Sequence, residues 1–306
     1  MEDSSGVVLS IIIVNFNGQK LLPKLLASLE VEVSRVDFLT EVLLVDNASE
    51  DDSVAFTEKN FPTVKIIRLR RNLGFARAAN AGAKESRGTF LLFLNNDVEI
   101  MPGCLSGLLS FLQQNPAYAL VAPAVLNPDH SFQLSFGRDL GLVSEFFLKY
   151  LASSWYSFWF RVRKEKLERD VDWASGVAVM VRRECFFRVD GFDERFFLYV
   201  EDADLGLRLR KQGYKLRYFP QARVIHFRGA VASRFPRLAI GEAKKGQLLY
   251  YQNHRHPFAF RLLRAYLLAR FRLKSFGAAI IRNQEKKSLY DEVISLIRGF
   301  DRATPA

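Results

Sequence analysis

One short stretch in the first third of the chain constrains the fold more than any other. Residues 90–94 are five consecutive apolar side chains, and the polar residues Asn95, Asn96 and Asp97 follow them. An uninterrupted apolar run of this length is typical of a strand buried on both faces of a parallel sheet. Ligands bind at the carboxyl ends of such strands, and a carboxylate beside two carboxamides can hold a divalent cation against a phosphate. The alternative is a strand that ends in an ordinary Asx-turn.

The first 115 residues repeat this pattern of a strand followed by a helix. Runs rich in β-branched residues predict strands at residues 9–15, 41–46 and 64–69, before the central strand, and a helical pattern follows each of them. The alternation predicts a mostly parallel sheet with helices on both faces. Polar residues end three of the four strands, at Asn15, Asp46 and Asn95 to Asp97. Polar strand ends that converge on one edge favour a nucleotide site over three unrelated turns.

After residue 115 the elements become shorter and less regular. The patterns predict strands at residues 120–126 and 173–181 and a helix from about residue 199 to 212. Two short strands are then predicted, at residues 215–219 and 223–227. The remainder of the chain, from about residue 236, is predicted to be helical.

Composition places the chain among ordinary globular proteins. The 306 residues are 49% hydrophobic and 25% charged. Cys104 and Cys185 lie in predicted regular elements, so we expect them to be packing residues in a reducing compartment, without a disulfide framework. We expect no signal peptide, because the first residues are acidic and polar. We also expect no transmembrane helix, because no uncharged apolar run reaches about 18 residues.

The positive charge is concentrated in one segment. Residues 255–287 carry nine Lys or Arg against a single acid, Glu285, and therefore supply +8 of the net charge of +11. The rest of the chain is nearly balanced, which argues against a protein that coats nucleic acid along its whole surface.

Five short motifs, taken as an ordered set, resemble those of the family 2 inverting glycosyltransferases. The motifs are residues 10–17 (SIIIVNFN), 45–49 (VDNAS), 72–75 (NLGF), 94–97 (LNND) and 197–202 (FLYVED). Their order and spacing match over residues 8–230, about three quarters of the chain. The sequence is most similar to the branch that transfers rhamnose or galactofuranose to lipid-linked saccharides.

The resemblance implies the A-type glycosyltransferase fold, an α/β fold with a mostly parallel nucleotide-diphospho-sugar-binding sheet and helices on both faces. It implies a catalytic domain at residues 8–235, with a nucleotide-sugar-binding half at 8–115 and an acceptor half at 116–235. A basic helical extension is expected at residues 236–306.

The same resemblance implies a set of donor-binding residues. Phe16 would lie against the nucleotide base, Asp46 would hydrogen-bond its imide edge, and Asn72, Gly74 and Asn80 would line the donor pocket. The whole expected set is Phe16, Asn17, Asp46, Asn47, Asn72, Gly74, Asn80, Asn95, Asn96 and Asp97. Asn95 stands where the family's DxD motif has its first Asp, which weakens the case for a carboxylate contact to the donor ribose.

Two residues are expected to hold a metal ion. Asp97 matches the metal-binding Asp of the DxD motif, and His226 resembles the histidine that completes the family's site. Oxygen ligands favour Mg²⁺ or Mn²⁺, and an imidazole ligand leans toward Mn²⁺. The cation would neutralise the diphosphate leaving group as charge develops on it. The alternative for His226 is a partly buried strand histidine without a ligand role.

Carboxylates at the start of a predicted helix are the candidate catalytic groups. Asp202 matches the family's general base, which accepts the proton of the acceptor hydroxyl, while Glu201 would hold acceptor hydroxyls. The alternative is acids that favour a helix N-terminus. A base on one side and a leaving group on the other imply a single displacement with inversion. Trp173, Ser175 and Gly176 resemble the loop that shapes the acceptor pocket, although Trp173 could be a core aromatic.

The C-terminal segment has the pattern of a surface-seeking helix. Phe258, Leu262, Ala265, Tyr266, Ala269, Leu273 and Phe276 recur at helical spacing, and arginines flank them. The pattern predicts contact with an anionic membrane surface, and the alternative is a helix packed on the catalytic domain. Residues 146–160 hold eight aromatics, which could grip a lipid acceptor or pack beneath an acceptor lid.

These features together predict a metal-dependent inverting glycosyltransferase at the inner face of the cytoplasmic membrane. It would move a sugar, rhamnose-like by preference, from a dTDP or UDP donor to a hydroxyl of a glycolipid or polysaccharide precursor. The alternatives are a nucleic-acid-binding protein that uses the basic tail, and a catalytically inactive nucleotide-sugar-binding protein. The tail has no aromatic strand platform of the kind used by single-strand binders.

Overall fold

The chain forms two compact units. The structure is a computed structural model that describes residues 6–141, 167–227 and 236–300, so the aromatic-rich residues 146–160 lie outside the described residues. The first unit comprises Met1–Arg195 and Glu201–Ala230, and the second comprises Phe196–Val200 and Val231–Ala306. The first unit contains the expected nucleotide-sugar-binding half and most of the expected acceptor half, while Phe196–Val200 belongs to the second unit.

The described part of the first unit consists of short strands and helices that alternate along the chain. Strands β1–β12 span Leu9–Asn15, Thr40–Asp46, Lys65–Arg68, Phe90–Asn95, Val98–Ile100, Tyr118–Leu126, Phe132–Gln133, Phe136–Gly137, Arg169–Val171, Trp173–Ala174, Ala178–Arg182 and Lys215–His226. Helices α1–α6 span Leu22–Val33, Ser53–Asn60, Phe75–Glu85, Cys104–Gln114, Arg183–Arg188 and Glu201–Lys211.

The main sheet is mixed, and its N-terminal half is parallel. Its strand order is β3-β2-β1-β4-β11-β6-β12-β5, and the neighbouring strands among β1 to β4 pair in parallel. β11 is antiparallel to both of its neighbours, while β6 and β12 pair in parallel. Leu9–Ile13 of β1 and Phe90–Leu94 of β4 are buried, and all of these residues except Ser10 are apolar. Helices cover the apolar faces of such strands, as the alternating pattern predicts.

Strand register carries the polar residues to one edge of the sheet. Asn15 lies opposite Asp46 on β2, and Val14 lies opposite Asn95 on β4. All three strands run in the same direction, so their carboxyl ends meet. The polar strand ends recognised in the sequence are therefore neighbours in space.

Residues 215–227 differ from the sequence-based expectation. The pattern predicts two short strands, whereas the structure has one strand, β12, with a register irregularity between Phe219 and Arg223. The intervening Pro220 interrupts the ladder because it has no backbone N–H, but both flanks continue to pair with β6. The far end of β12 pairs with β5, a short strand missed in the sequence, and His226 lies opposite Val98.

The second unit contains three helices in its described part. Helices α7, α8 and α9 span Pro236–His254, Pro257–Ile280 and Gln284–Gly299. α8 packs along α9, and each helix buries apolar side chains: Phe260, Leu263, Leu267 and Phe271 on α8, and Val293, Ile294 and Ile297 on α9. Side-chain caps begin both helices, since His256 Nδ1 accepts from the amide of Phe258 and Asn283 Oδ1 accepts from the amide of Lys286. Among the described helices, none combines the length and apolar character needed to cross a membrane.

A strained turn also belongs to the second unit. Tyr199 and Val200 have left-handed backbone conformations, with φ of 71° and 74°. A β-branched residue rarely adopts this conformation, so the surrounding structure must hold it in place. Gly246 of α7 lies against this turn, and a Cβ at that position would be 2.8 Å from the carbonyl oxygen of Tyr199.

Candidate active site

A buried asparagine joins the polar ends of three parallel strands. The side chain of Asn15 is fully buried; its Nδ2 lies 3.4 Å from Asp46 Oδ1 and donates to Ser53 Oγ at 2.8 Å. Its Oδ1 accepts from Asn96 Nδ2 at 2.9 Å. Asn15 therefore fixes the position of the strand ends on both sides of β1. The sequence marks Asn15 as a strand end, but its role at the centre of this cluster was not predicted.

Gly18 leaves room for this cluster. A Cβ at position 18 would lie 2.2 Å from Asn15 Oδ1 and 2.5 Å from Asn96 Nδ2, closer than real carbon atoms approach. Any other residue would therefore separate the two asparagines or displace the loop. The neighbouring Phe16 and Asn17 are half-buried, and Asn17 Oδ1 accepts from the amide of Glu50 at 2.8 Å.

The loop after β3 is held by two further predicted donor-site asparagines, Asn47 and Asn72. Asn47 Nδ2 donates to Asn72 Oδ1 at 2.9 Å and to the carbonyl of Gly74 at 3.2 Å, while Asn47 Oδ1 accepts from the amide of Leu73. Gly74 has a φ of 82°, a conformation that favours glycine, and leads directly into α3. Asn47 and Asn72 thus shape the loop that carries Gly74 beside Asn47.

Asn80 lies apart from the contacts that join the other predicted donor residues. Its Nδ2 donates to the carbonyl of Phe192 at 2.8 Å, and its Oδ1 accepts from the amide of the same residue at 2.9 Å. The side chain is 5% exposed. Asn80 therefore fixes the loop after α5, and its place in the donor pocket stays a prediction.

Asp97 and His226 meet at the junction of β5 and β12. His226 Nε2 lies 3.2 Å from Asp97 Oδ1, and the amide of Phe227 donates to the carbonyl of Asp97 at 2.9 Å. The side-chain amide of Gln133 lies 3.1 Å from His226 Nδ1. In the tautomer whose Nδ1 donates to Gln133, Nε2 turns its lone pair toward Asp97. Sequence reasoning missed Gln133, which is 93 residues from His226 and lies in no motif.

This pair fits a divalent cation whose other ligands come from a bound molecule. One carboxylate oxygen and one imidazole nitrogen are ligands that Mn²⁺ or Mg²⁺ accepts. Gln133 hydrogen-bonds the other ring nitrogen of His226, as residues behind metal-binding histidines commonly do. Within the described residues, no group of three or more His, Cys, Asp or Glu side chains could hold a metal ion alone. The protein would therefore supply two ligands and leave the remaining positions to diphosphate oxygens or water. Asn95, two residues before Asp97, is half-buried, and its backbone amide donates to the carbonyl of Val177.

Asp202 lies in a hydrogen-bonded position at the start of α6. Its Oδ2 accepts from the amide of Gly176 at 3.2 Å, and its Oδ1 accepts from the amide of Ala203 at 2.7 Å. Burial raises the pKa of Asp202 to about 6, although these two amides lower it. At neutral pH the group is mostly ionised, and its pKa is close enough to accept a proton efficiently.

Glu201 is the more isolated of the two carboxylates. Its side chain is buried, and among the described residues its Oε2 has no hydrogen-bond partner. Burial, and after it the charge of Asp202, raises the pKa of Glu201 well above its ordinary value. A buried carboxyl oxygen without a protein partner is a natural position for a ligand hydroxyl.

The predicted acceptor loop contacts the candidate base. Gly176 donates its amide to Asp202, and Ser175 donates its amide to the carbonyl of Ser135 at 2.7 Å. Trp173 is half-buried, and its Nε1 donates to the carbonyl of Arg138 at 2.9 Å. The structure therefore brings Gly176 to Asp202, whereas Trp173 Nε1 is hydrogen-bonded to the backbone carbonyl of Arg138.

Comparison with known proteins gives the family and the fold. The sequence model described as Glycosyl transferase family 2 matches residues 10–190. An N-acetylglucosaminyl-diphospho-decaprenol L-rhamnosyltransferase of Mycobacterium tuberculosis is 30% identical over 293 residues, which cover 87% of this chain and 94% of that protein. The rhamnosyltransferase WbbL of Escherichia coli K12 is 29% identical over 144 residues, 45% of this chain and 52% of WbbL.

Solved structures match the fold at lower identity. The mannosyltransferase PcManGT from Pyrobaculum calidifontis, in complex with GDP-Man and Mn²⁺, superposes with a TM-score of 0.54 at 15% identity over 98% of this chain and 89% of that one. GalNAc-T7 with UDP, GalNAc and Mn²⁺ gives a TM-score of 0.56 at 18% identity over 82% and 51%. At these identities the similarity concerns the fold alone, and it confirms the predicted fold class.

Proposed function

This chain belongs to glycosyltransferase family 2, and we propose that it transfers a rhamnose-type sugar from a nucleoside diphosphate donor to a hydroxyl of a lipid-linked saccharide. The observation that carries the proposal is the cluster at the sheet edge. Asn15 binds the side chains of Asp46 and Asn96, and the next residue, Asp97, contacts His226. These strand ends offer a carboxylate for a base, amides for a ribose or phosphate, and two metal ligands.

The donor would lie along this edge. Asp46 would accept from the imide of a pyrimidine base, with Phe16 against the ring and Asn17, Asn47, Asn72 and Gly74 forming the wall. Asn95 and Asn96 would contact the ribose and diphosphate. A carboxylate complements the imide N–H of uracil or thymine, and dTDP or UDP is the donor that the resemblance implies.

The residues Asp97 and His226 would hold Mn²⁺ or Mg²⁺, and Gln133 would keep the imidazole in the ligand tautomer. The cation, when bound, supplies positive charge that stabilises the departing diphosphate. Two structural relatives, GalNAc-T7 and PcManGT, contain Mn²⁺ in their solved structures. This parallel and the fit of the two side chains support a divalent metal in this chain.

Asp202 would act as the general base on the acceptor. The acceptor oxygen attacks the anomeric carbon, its proton passes to Asp202, and the bond from that carbon to the diphosphate oxygen breaks. One displacement of this kind inverts the anomeric configuration. Glu201, whose pKa is raised well above its ordinary value, would remain protonated and bind an acceptor hydroxyl through Oε2.

The acceptor class is inferred from relatives and from the molecular surface. The M. tuberculosis relative is named for a lipid-linked N-acetylglucosaminyl diphosphate acceptor. Trp173, Ser175 and Gly176 would shape the opening for such an acceptor in this chain. The proposal therefore includes binding to an anionic membrane surface, because a lipid-linked acceptor resides in a membrane. The protein would bind as a peripheral protein at the cytoplasmic face. A role in cell-wall or polysaccharide synthesis would follow.

The two alternative functions are not favoured. The family match and the similarity to rhamnosyltransferases both favour an enzyme over a nucleic-acid-binding protein. The catalytically inactive alternative would need a defect in the expected catalytic groups, yet both Asp97 and Asp202 are present.

A thermal-shift experiment tests the donor and metal assignments together. The full chain is heated with dTDP, UDP or GDP, with and without Mn²⁺, and the variant Asp97→Asn is compared with Glu99→Gln, which removes a charge two residues away. We expect a pyrimidine diphosphate to stabilise the wild type and Glu99→Gln only with Mn²⁺, and Asp97→Asn to lose the metal-dependent part. Equal stabilisation in EDTA would contradict the metal assignment, and no response to any diphosphate would contradict the donor assignment.

A further inference from the structure

Helix α8 has two apolar faces on opposite sides. One face is buried and includes Phe260, Leu263, Leu267 and Phe271. The other is exposed: five large apolar side chains have between 42% and 72% of their surface accessible, namely Phe258, Leu262, Leu273, Phe276 and Ile280. At 3.6 residues per turn these five fall within an arc of roughly 60°, opposite the buried face. We call them the exposed stripe.

The exposed stripe is more than packing against α9 requires. A helix that packs on one side needs one apolar face and places polar residues on the other. An exposed contiguous apolar surface of this kind marks an interaction site. α8 packs on the neighbouring α9, but its buried face consists of residues other than the stripe.

Positive charge surrounds the exposed stripe. Residues 257–280 contain five Lys or Arg and no Asp or Glu. Arg261 and Arg272 are exposed and lie along one edge of the stripe. Opposite charge on a partner would therefore be complementary to this face.

A groove between α8 and α9 opens beside the stripe. It has a volume of about 510 Å³ and shares Phe276 with the stripe. Three basic side chains line it: Arg272, Lys287 and Arg298. Lys287 is paired with Asp291 at 2.7 Å, whereas Arg272 and Arg298 have no acidic partner among the described residues. The groove thus presents two guanidinium groups, which bind phosphate well.

We propose that the exposed stripe and this groove form a docking surface for the anionic leaflet of a lipid bilayer. The stripe would enter the boundary between headgroups and acyl chains, and Arg272 and Arg298 would bind phosphates of anionic phospholipids. The proposed function includes contact with a membrane, and these residues would make that contact. The inference rests on the proposed function because a lipid-linked acceptor is the reason for the protein to bind a membrane.

Charge distinguishes a bilayer from the other possible occupants. A second copy of the chain, docked through the same stripe, would bring two acid-free basic helices together, which is repulsive. A nucleic acid would satisfy the arginines but would leave the exposed leucine and phenylalanine side chains against water or phosphate. An anionic bilayer satisfies both parts of the surface.

Vesicle co-sedimentation of the full chain tests this surface. We expect binding to vesicles of phosphatidylglycerol and phosphatidylcholine at low salt, weaker binding at high salt because charges are screened, and little binding to phosphatidylcholine alone. Arg272→Gln with Arg298→Gln should weaken binding roughly fivefold for each charge removed. Leu273→Gln with Phe276→Gln should weaken it further, because the apolar contact is lost.

Matched variants keep the test specific. Lys20→Gln with Lys59→Gln removes the same charge from exposed positions of the first unit, and Leu39→Gln replaces a side chain that is 55% exposed there. Both controls should bind like the wild type, and thermal unfolding should show that all variants are folded. The inference is overturned if the wild type does not sediment at low salt, if the stripe variants bind normally, or if the protein is a dimer that Phe276→Gln converts to a monomer.

The proposed function can fail separately from this inference. Transfer to a short soluble acceptor needs no membrane, so the surface variants should retain it. Vesicle binding by a chain that transfers no sugar would contradict the proposed function and leave the docking surface supported.

Discussion

At the scale of single residues, the two adjacent carboxylates at the start of α6 differ in their environments. Asp202 accepts hydrogen bonds from two backbone amides, which stabilise its ionised form. Glu201 is buried and has an oxygen without a partner among the described residues, which disfavours its ionised form. Neighbouring groups whose environments push their pKa values apart are suited to different tasks. Asp202 is therefore the stronger candidate for the base.

Replacement of Asp202 separates catalysis from donor binding. Asp202→Asn should keep donor affinity within a few-fold, because the base contacts the acceptor, while kcat falls by roughly 10²–10⁴. Steady-state kinetics and a donor titration measure the two quantities. Glu201→Gln is the comparison variant and should raise the acceptor KM more than it lowers kcat. An inactive Glu201→Gln beside a nearly normal Asp202→Asn would show that the base is Glu201.

The raised pKa of Glu201 has a consequence for stability. Between its ordinary pKa of 4.5 and its higher folded pKa, the native protein binds more protons than the unfolded chain. This contribution to stability is fully present below the unfolded pKa and is lost as pH rises toward and through the folded pKa. Glu201→Gln should therefore unfold like the wild type near pH 4.

At pH 8 the same variant should unfold at a higher temperature than the wild type, because the buried Glu201 carboxyl then disfavours folding relative to a neutral amide. Thermal unfolding at several pH values measures the difference. The exposed Glu30→Gln on α1 is the control and should track the wild type at every pH. A constant difference between Glu201→Gln and the wild type from pH 4 to pH 8 would contradict the assigned direction of the pKa.

At the scale of secondary-structure elements, strand pairing and one strained turn position the reactive groups. The pairing of β5 with β12 sets Val98 opposite His226 and so brings Asp97 to the imidazole. The turn at Tyr199 and Val200 directly precedes Glu201 in the chain. Its left-handed conformation costs free energy that packing against α7 must offset. The position of the carboxylates thus depends on elements distant in sequence.

Two glycines of α7 allow a matched test of that turn. A Cβ at Gly246 would lie 2.8 Å from the Tyr199 carbonyl oxygen, while one at Gly241 would make an ordinary 3.5 Å contact with Leu296. Both replacements by alanine gain helix propensity of about 1 kcal/mol. Gly241→Ala should therefore raise Tm slightly and keep kcat, whereas Gly246→Ala should lower kcat about tenfold or more by displacing the turn. Equal kcat in the two variants would show that the turn does not control the carboxylates.

The elements also show which features local sequence can predict. The strand ends at Asn15, Asp46 and Asn95 were predictable because a parallel sheet aligns its carboxyl ends whatever its loops do. The contact of Gln133 with His226 and the packing of Asn80 on Phe192 join residues 93 and 112 positions apart. No local periodicity encodes such contacts. The sequence predicted two strands in place of β12 because a proline such as Pro220 usually marks a turn. In the structure, the residues on both sides of Pro220 pair with β6, so the strand continues.

At the scale of the whole molecule, the excess positive charge and the proposed catalytic residues lie in different units. The proposed catalytic residues belong to the first unit, while residues 255–287 of the second unit supply +8 of the net charge of +11. The exposed stripe of α8 was recognisable in the sequence from its spacing, but its exposure was not, because a second apolar face of the same helix packs on α9. An enzyme for a lipid-linked acceptor would use both units.

The central claim is sugar transfer from a nucleoside diphosphate donor with inversion. The direct measurement is NMR of the product formed by the full chain from dTDP-rhamnose, Mn²⁺ and a short-chain lipid-linked N-acetylglucosaminyl diphosphate, with UDP- and GDP-sugars as alternative donors. We predict one equivalent of nucleoside diphosphate for each sugar transferred, and an anomeric configuration opposite to that of the donor. A product with the donor's configuration would contradict the single displacement, and no transfer from any of these donors would contradict the proposed reaction.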